Sequence, residues 1–217
     1  MTVDDARPET GAPGPGPGEA PEAAAERVIW SWRADWTEPL RRRVPLVACS
    51  AVAVALLIGW RVGPGADLPA FVWLAGAGVM LAFVDVALHR LPDPLTLTSY
   101  PVGLLLLGAA APFTADGGER YVEALIGLGV MLAVFAAQWA VVPRAMGLGD
   151  VKLSGVLGLY LGWLGMDAWL LGLVGMFMVG GSYALGVLIL RRAAGGTEFP
   201  FGPFMLIGTL IAVLVHA

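Results

Sequence analysis

Phe83-Val84-Asp85-Val86-Ala87-Leu88-His89-Arg90-Leu91-Pro92-Asp93 closes one apolar run. Met146-Gly147-Leu148-Gly149-Asp150 opens another, which continues as Val151-Lys152-Leu153. Each stretch carries an aspartate at the edge of a segment apolar enough to be a membrane helix. An ionisable group inside a bilayer is costly unless it has a partner or water, so such a residue is a candidate for function. Two of them at one membrane face suggest a working pair of carboxylates.

Composition points the same way. The chain has 217 residues, 58% hydrophobic and 14% charged, with a mean hydropathy of +0.76. Soluble domains carry about 25% charged residues, so this chain is too apolar for that class. One cysteine, Cys49, excludes an intramolecular disulfide and a thiolate zinc cage. No basic stripe interleaved with aromatics marks a nucleic-acid surface. Two isolated histidines, His89 and His216, offer no metal cluster and read as interfacial. Neither a metal nor an organic cofactor is expected.

Residues 1–26 are a different material, rich in Pro, Gly, Ala and Glu. They carry no apolar periodicity and are expected to be disordered. Asp4, Asp5 and Glu9 speak against a signal peptide. Residues 27–43 bring Trp30, Trp32 and Trp36, then Arg41-Arg42-Arg43. That mixture predicts a membrane-interface anchor. From residue 44 to 217 apolar runs repeat, at about 44–61, 69–88, 95–112, 121–142, 151–165, 168–190 and 203–216. A helical span needs about 20 residues; the fifth and seventh runs fall short. Gly63-Pro64-Gly65, Pro92-Asp93-Pro94, Asp116-Gly117-Gly118, Gly147 to Asp150 and Gly195-Gly196 mark the breaks. The fold class expected is all-α, a polytopic bundle of about seven transmembrane helices.

The cations set the orientation. With a cytoplasmic N-terminus, eleven of the 13 fall on that side and only Arg61 and Arg120 on the other. Excess Lys and Arg in short loops mark the cytoplasm. Asp85, at the end of the second span, and Asp150, at the start of the fifth, then share a depth at the cytoplasmic face. Shared depth is what an aspartyl pair needs. One carboxylate activates water while the other, protonated, polarises a peptide carbonyl. Like charges this close do not both ionise easily, so the pair holds one proton and titrates as a unit. The structural alternative is that each Asp caps a helix or pairs with an Arg. Asp85 follows a long apolar run and is no N-cap, whereas Asp150 suits that position.

Gly147-Leu148-Gly149-Asp150 resembles the Gly-x-Gly-Asp signature of intramembrane aspartyl proteases, which include presenilin and the prepilin peptidases. Asp85 followed by Leu91-Pro92-Asp93-Pro94-Leu95-Thr96-Leu97 resembles the first catalytic block of type IV prepilin peptidases. Gly149-Asp150-Val151-Lys152-Leu153 resembles their second block, and Phe199-Pro200-Phe201-Gly202-Pro203-Phe204 the segment before their last helix. The resemblance covers roughly residues 70–210. It implies that Asp85 and Asp150 are the catalytic pair of an aspartic endopeptidase. It further implies that the protease removes short basic leaders from prepilin-like substrates at the cytoplasmic face of the cell membrane. Larger family members carry paired Cys-x-x-Cys motifs associated with N-methylation. With one Cys, this chain resembles the short, peptidase-only form, and methyl transfer is not expected of it.

The neighbours divide by chemistry. Asp93 before Pro94 reads as a helix start, although it lies inside the motif. Lys152 could tune Asp150 or meet a lipid phosphate, but reads foremost as a positive-inside anchor. Gly147 and Gly149 permit close backbone approach. Pro92, Pro200, Gly202 and Pro203 could shape a wall beside the pair. The substrate helix is expected beside the second and fifth spans. A rival reading is a small transporter or channel using Asp85 and Asp150 for protons or cations. That class favours an inverted repeat and helices broken at mid-bilayer, and the sequence displays neither. A third reading is an inactive assembly scaffold.

Overall fold

The structure, a computed structural model, describes residues 34–141, 147–190 and 201–217. The expected tail at 1–26, together with Trp30, Trp32, Arg144 and Pro200, lies outside the described residues. Among the described residues there is no strand. A short helix at Glu38–Arg42 precedes seven longer ones: α1 (Val44–Val62), α2 (Leu68–Leu88), α3 (Asp93–Ala110), α4 (Gly117–Val141), α5 (Leu148–Trp163), α6 (Met166–Leu190) and α7 (Gly202–His216). They follow the seven apolar runs one for one. The chain is an all-α polytopic bundle.

Sequence punctuation explains the boundaries. Pro45, Pro69, Pro94 and Pro203 stand in the first two positions of α1, α2, α3 and α7. There the missing N–H would be unpaired anyway and the fixed φ suits a helix. Gly63, at φ 75°, ends α1, and His89 ends α2 in the left-handed region at φ 51°.

Helices α1, α2 and α4 are long and apolar enough to cross a membrane. So are α3 extended to Phe113 and α6 as far as Tyr183. Leu56, Trp60, Leu105, Val130 and Val174 point outward, as side chains meeting lipid should. Trp36 does not simply face an interface. It packs with Leu40, Val47 and Val84. Close by, Arg42 Nε donates to Glu38 Oε1 at 2.8 Å, which holds that exposed carboxyl below its ordinary range.

α5 is the axle of the bundle. It packs against α3, α4, α6 and α7, and every residue from Leu153 to Trp163 is buried. Lipid is as apolar as leucine, so helices in it associate through close packing rather than hydrophobic burial. Gly158 and Gly162 supply that closeness. A Cβ on Gly162 would stand 2.8 Å from the Ala124 Cα of α4, and one on Gly158 would stand 2.6 Å from Met131 Cβ. Trp163 Nε1 donates to Asp67 Oδ2 at 3.0 Å, tying the far end of α5 to the start of α2. Arg61, at the end of α1, donates to the carbonyls of Leu214 (2.6 Å) and Val215 (3.0 Å), clasping the end of α7.

Candidate active site

Asp85 and Asp150 come together. Asp85 lies in the last turn of α2, where its carbonyl accepts the His89 N–H at 2.8 Å. Asp150 lies in the first turn of α5. Gly149, beside Asp150, and Gly202, against Asp85, both pack on Leu91, and both aspartates are buried, at 3% and 8% exposure. α2 and α5 are not major packing partners. What joins their ends is the start of α3, the start of α7 and the segment before α3.

Each carboxyl is held by one backbone N–H. Gly202 N–H donates to Asp85 Oδ2 at 3.1 Å, and Gly147 N–H donates to Asp150 Oδ2 at 3.2 Å. The N-cap reading of Asp150 therefore needs correction. Gly147 is the N-cap and Asp150 is the third helical residue, its carboxylate reaching back as in half a capping box. Among the described residues, neither Oδ1 accepts a hydrogen bond.

A residue that the sequence reading passed over sits between these pieces. Leu91 is buried at 9% exposure. A Cβ on Gly149 would stand 2.9 Å from Leu91 Cβ. A Cβ on Gly202 would stand 2.7 Å from Asp85 Oδ2 and 3.5 Å from Leu91 Cδ2. Leu91 thus wedges between the two glycines that flank the two aspartates. Neither glycine needs an unusual φ; both need the missing side chain. No local pattern announces Leu91, because its partners lie 58 and 111 residues away along the chain, counted from positions 149 and 202.

The remaining candidates scatter around this centre. Pro92 is the N-cap of α3, and its carbonyl accepts the Thr96 hydroxyl at 3.1 Å. Asp93 is consequently the first helical residue and makes no cap bond, one position later than the helix-start reading places it. Its Oδ1 instead accepts from Lys152 Nζ at 2.7 Å, so Lys152 faces Asp93. Tyr100, also unforeseen, donates its hydroxyl to the Lys152 carbonyl at 2.5 Å. Phe201 packs in a tilted arrangement against Phe135 and Phe177, at centroid distances of 6.4 and 6.1 Å. That cluster fixes the entry to α7 and hence Gly202. Pro203 faces a groove between α1, α2 and α7. His89 and His216 lie at helix ends.

The Lys152–Asp93 pair is partly exposed, at 38% and 52% for the two side chains. Exposed pairs contribute about 0–1 kcal/mol. Asp93→Asn is expected to retain activity within about tenfold of the parent. A variant as inactive as Asp85→Asn would make Asp93 a chemical participant.

Residues 72–215 match the model of the type IV leader peptidase family. The chain belongs to that family. A protein of Aeromonas hydrophila called prepilin leader peptidase/N-methyltransferase is 33% identical over 181 residues, covering 81% of this chain and 59% of its own length. One of the same name from Pseudomonas aeruginosa is 31% identical over 185 residues, covering 80% and 58%. Another, from Klebsiella pneumoniae, is 31% identical over 140 residues, covering 62% and 58%. The chain spans a little under three fifths of the length of these curated relatives. No solved structure matches it significantly. Asp85, Leu91, Gly149, Asp150 and Gly202 all fall within the part that matches the type IV leader peptidase family. With its long apolar helices, this member of the family is a multi-pass membrane protein.

Proposed function

We propose that this chain is an aspartic endopeptidase of the cytoplasmic membrane that removes the basic leader from prepilin-like proteins. The observation that carries the reading is the pairing of Asp85 and Asp150, each tethered through one oxygen to a glycine N–H. The relatives' names support the substrate class. In the reaction one carboxylate takes a proton from water as the water oxygen bonds to the scissile carbonyl carbon. The other, protonated, donates to the carbonyl oxygen. The gem-diol intermediate then collapses: the leaving nitrogen takes the proton held by the first carboxyl, the C–N bond breaks, and a hydroxyl of the intermediate returns its proton to the second carboxylate. The peptide is hydrolysed and the dyad returns to its starting state. Asp93, Lys152, Gly147, Gly149, Pro92, Gly202 and Pro203 shape and hold the site, as does Leu91.

The reading is tested by co-expressing the chain with a prepilin-type protein in cells lacking other such enzymes and weighing the product. Loss of the leader is expected, with an unmethylated new N-terminus. An intact substrate overturns the proposal. Both aspartates serve a cytoplasmic cleavage site only if the N-terminus faces the cytoplasm. In a Cys49→Ser background, a membrane-impermeant thiol reagent is expected to label a cysteine at position 116 from outside and to spare one at position 195. The reverse pattern would refute the orientation.

A further inference from the structure

We propose that the apolar groove between α1, α2 and α7 seats the membrane helix of the substrate and delivers that helix's cytoplasmic end to Asp85. The inference rests on the peptidase reading and adds a place to it. The groove holds about 210 Å³ and is lined by Val54 of α1, by Ala75, Gly78 and Ala82 of α2, and by Pro203 and Leu210 of α7, among others. A cavity of about 150 Å³ takes a benzene ring, so this one suits one or two large side chains projecting from a helix laid along it.

Continuity with the aspartates singles this groove out. Ala82 lies three residues before Asp85, about 4.5 Å of helical rise. Pro203 follows Gly202, whose N–H is bonded to Asp85 Oδ2. From there the groove runs along α2 to Ala75, about 10 Å, without a charged lining residue. Whatever reaches Asp85 by this route is apolar behind the reacting bond. Its α2 lining, Leu74, Ala75, Gly78, Val79 and Ala82, is apolar throughout. The sequence reading expects the substrate beside α2 and α5. Among the described residues, α5 is buried from Leu153 to Trp163, whereas the α2 side has room.

The test uses the full chain in phosphatidylethanolamine–phosphatidylglycerol vesicles. A photoreactive benzoylphenylalanine replaces Val79 or Ile207 at the groove, or Val134 or Leu170 on outward surfaces of α4 and α6. The probe is a single-span prepilin-type protein, and cleavage is read in parallel. Capture at Val79 and Ile207 is expected to exceed that at the other two positions by about tenfold. Val54→Trp, which fills the groove, is expected to raise KM by about tenfold while kcat stays within twofold or so. Equal capture everywhere, or lipid adducts alone at the groove, overturns the proposal. Cleavage without groove capture removes the groove and leaves the peptidase standing. Groove capture without cleavage supports the groove and counts against the peptidase.

Discussion

Asp85→Asn and Asp150→Asn are each expected to abolish the proposed leader cleavage, by about four orders of magnitude or more, while the protein accumulates in the membrane as before. The scale is that of removing an essential member of a catalytic unit. Accumulation is expected because the amide keeps the bond that the carboxylate makes. The Asn Oδ1 can still accept the N–H of Gly202 in one variant and of Gly147 in the other. What is lost is the capacity to take and return a proton. Two carboxyls acting as a unit do not contribute additively, so the double variant is expected to be no worse than either single one. Immunoblotting of substrate and enzyme from the same membranes checks both points. Full cleavage by either variant would dismiss the pair and reopen the transporter reading.

Gly202→Ala and Gly149→Ala are expected to be the next most damaging changes, each lowering kcat by about a hundredfold, the scale of a 1 Å misplacement at a reacting centre. The new methyl of Gly202→Ala meets Asp85 Oδ2 at 2.7 Å, and that of Gly149→Ala meets Leu91 Cβ at 2.9 Å. Both distances are too short to persist, so a carboxyl or the wedge must move. Trimming the wedge offers a diagnostic. Leu91→Ala combined with Gly149→Ala is expected to recover part of the loss, because the methyl then has room. Recovery separates a steric cause from a conformational one. If the Gly149→Ala variant fails to accumulate at all, the glycine serves folding first.

The bundle itself was legible in the chain, because apolar runs punctuated by Pro and Gly leave few other options. The aspartates were legible because charge is rare in such runs. Leu91, Tyr100 and Arg61 were not. A leucine between two glycines, or a guanidinium on the carbonyls of a distant helix end, depends on contacts across the bundle that no local pattern encodes. Asp93 shows a finer limit: a helix boundary shifted by one residue turned a cap into a salt-bridge partner.

The Arg61 clasp reaches further than the turn it closes. α7 has 15 residues and so is about 22 Å long. One end is fixed by Arg61 to the Leu214 and Val215 carbonyls, and the other presents Gly202 to Asp85. A rod stopped at both ends acts as a gauge. A slip of one residue would carry the Gly202 N–H about 1.5 Å along the helix axis, about half the length of the bond it makes. The alignment of one carboxyl thus depends on an arginine at the far end of α7 that never approaches it.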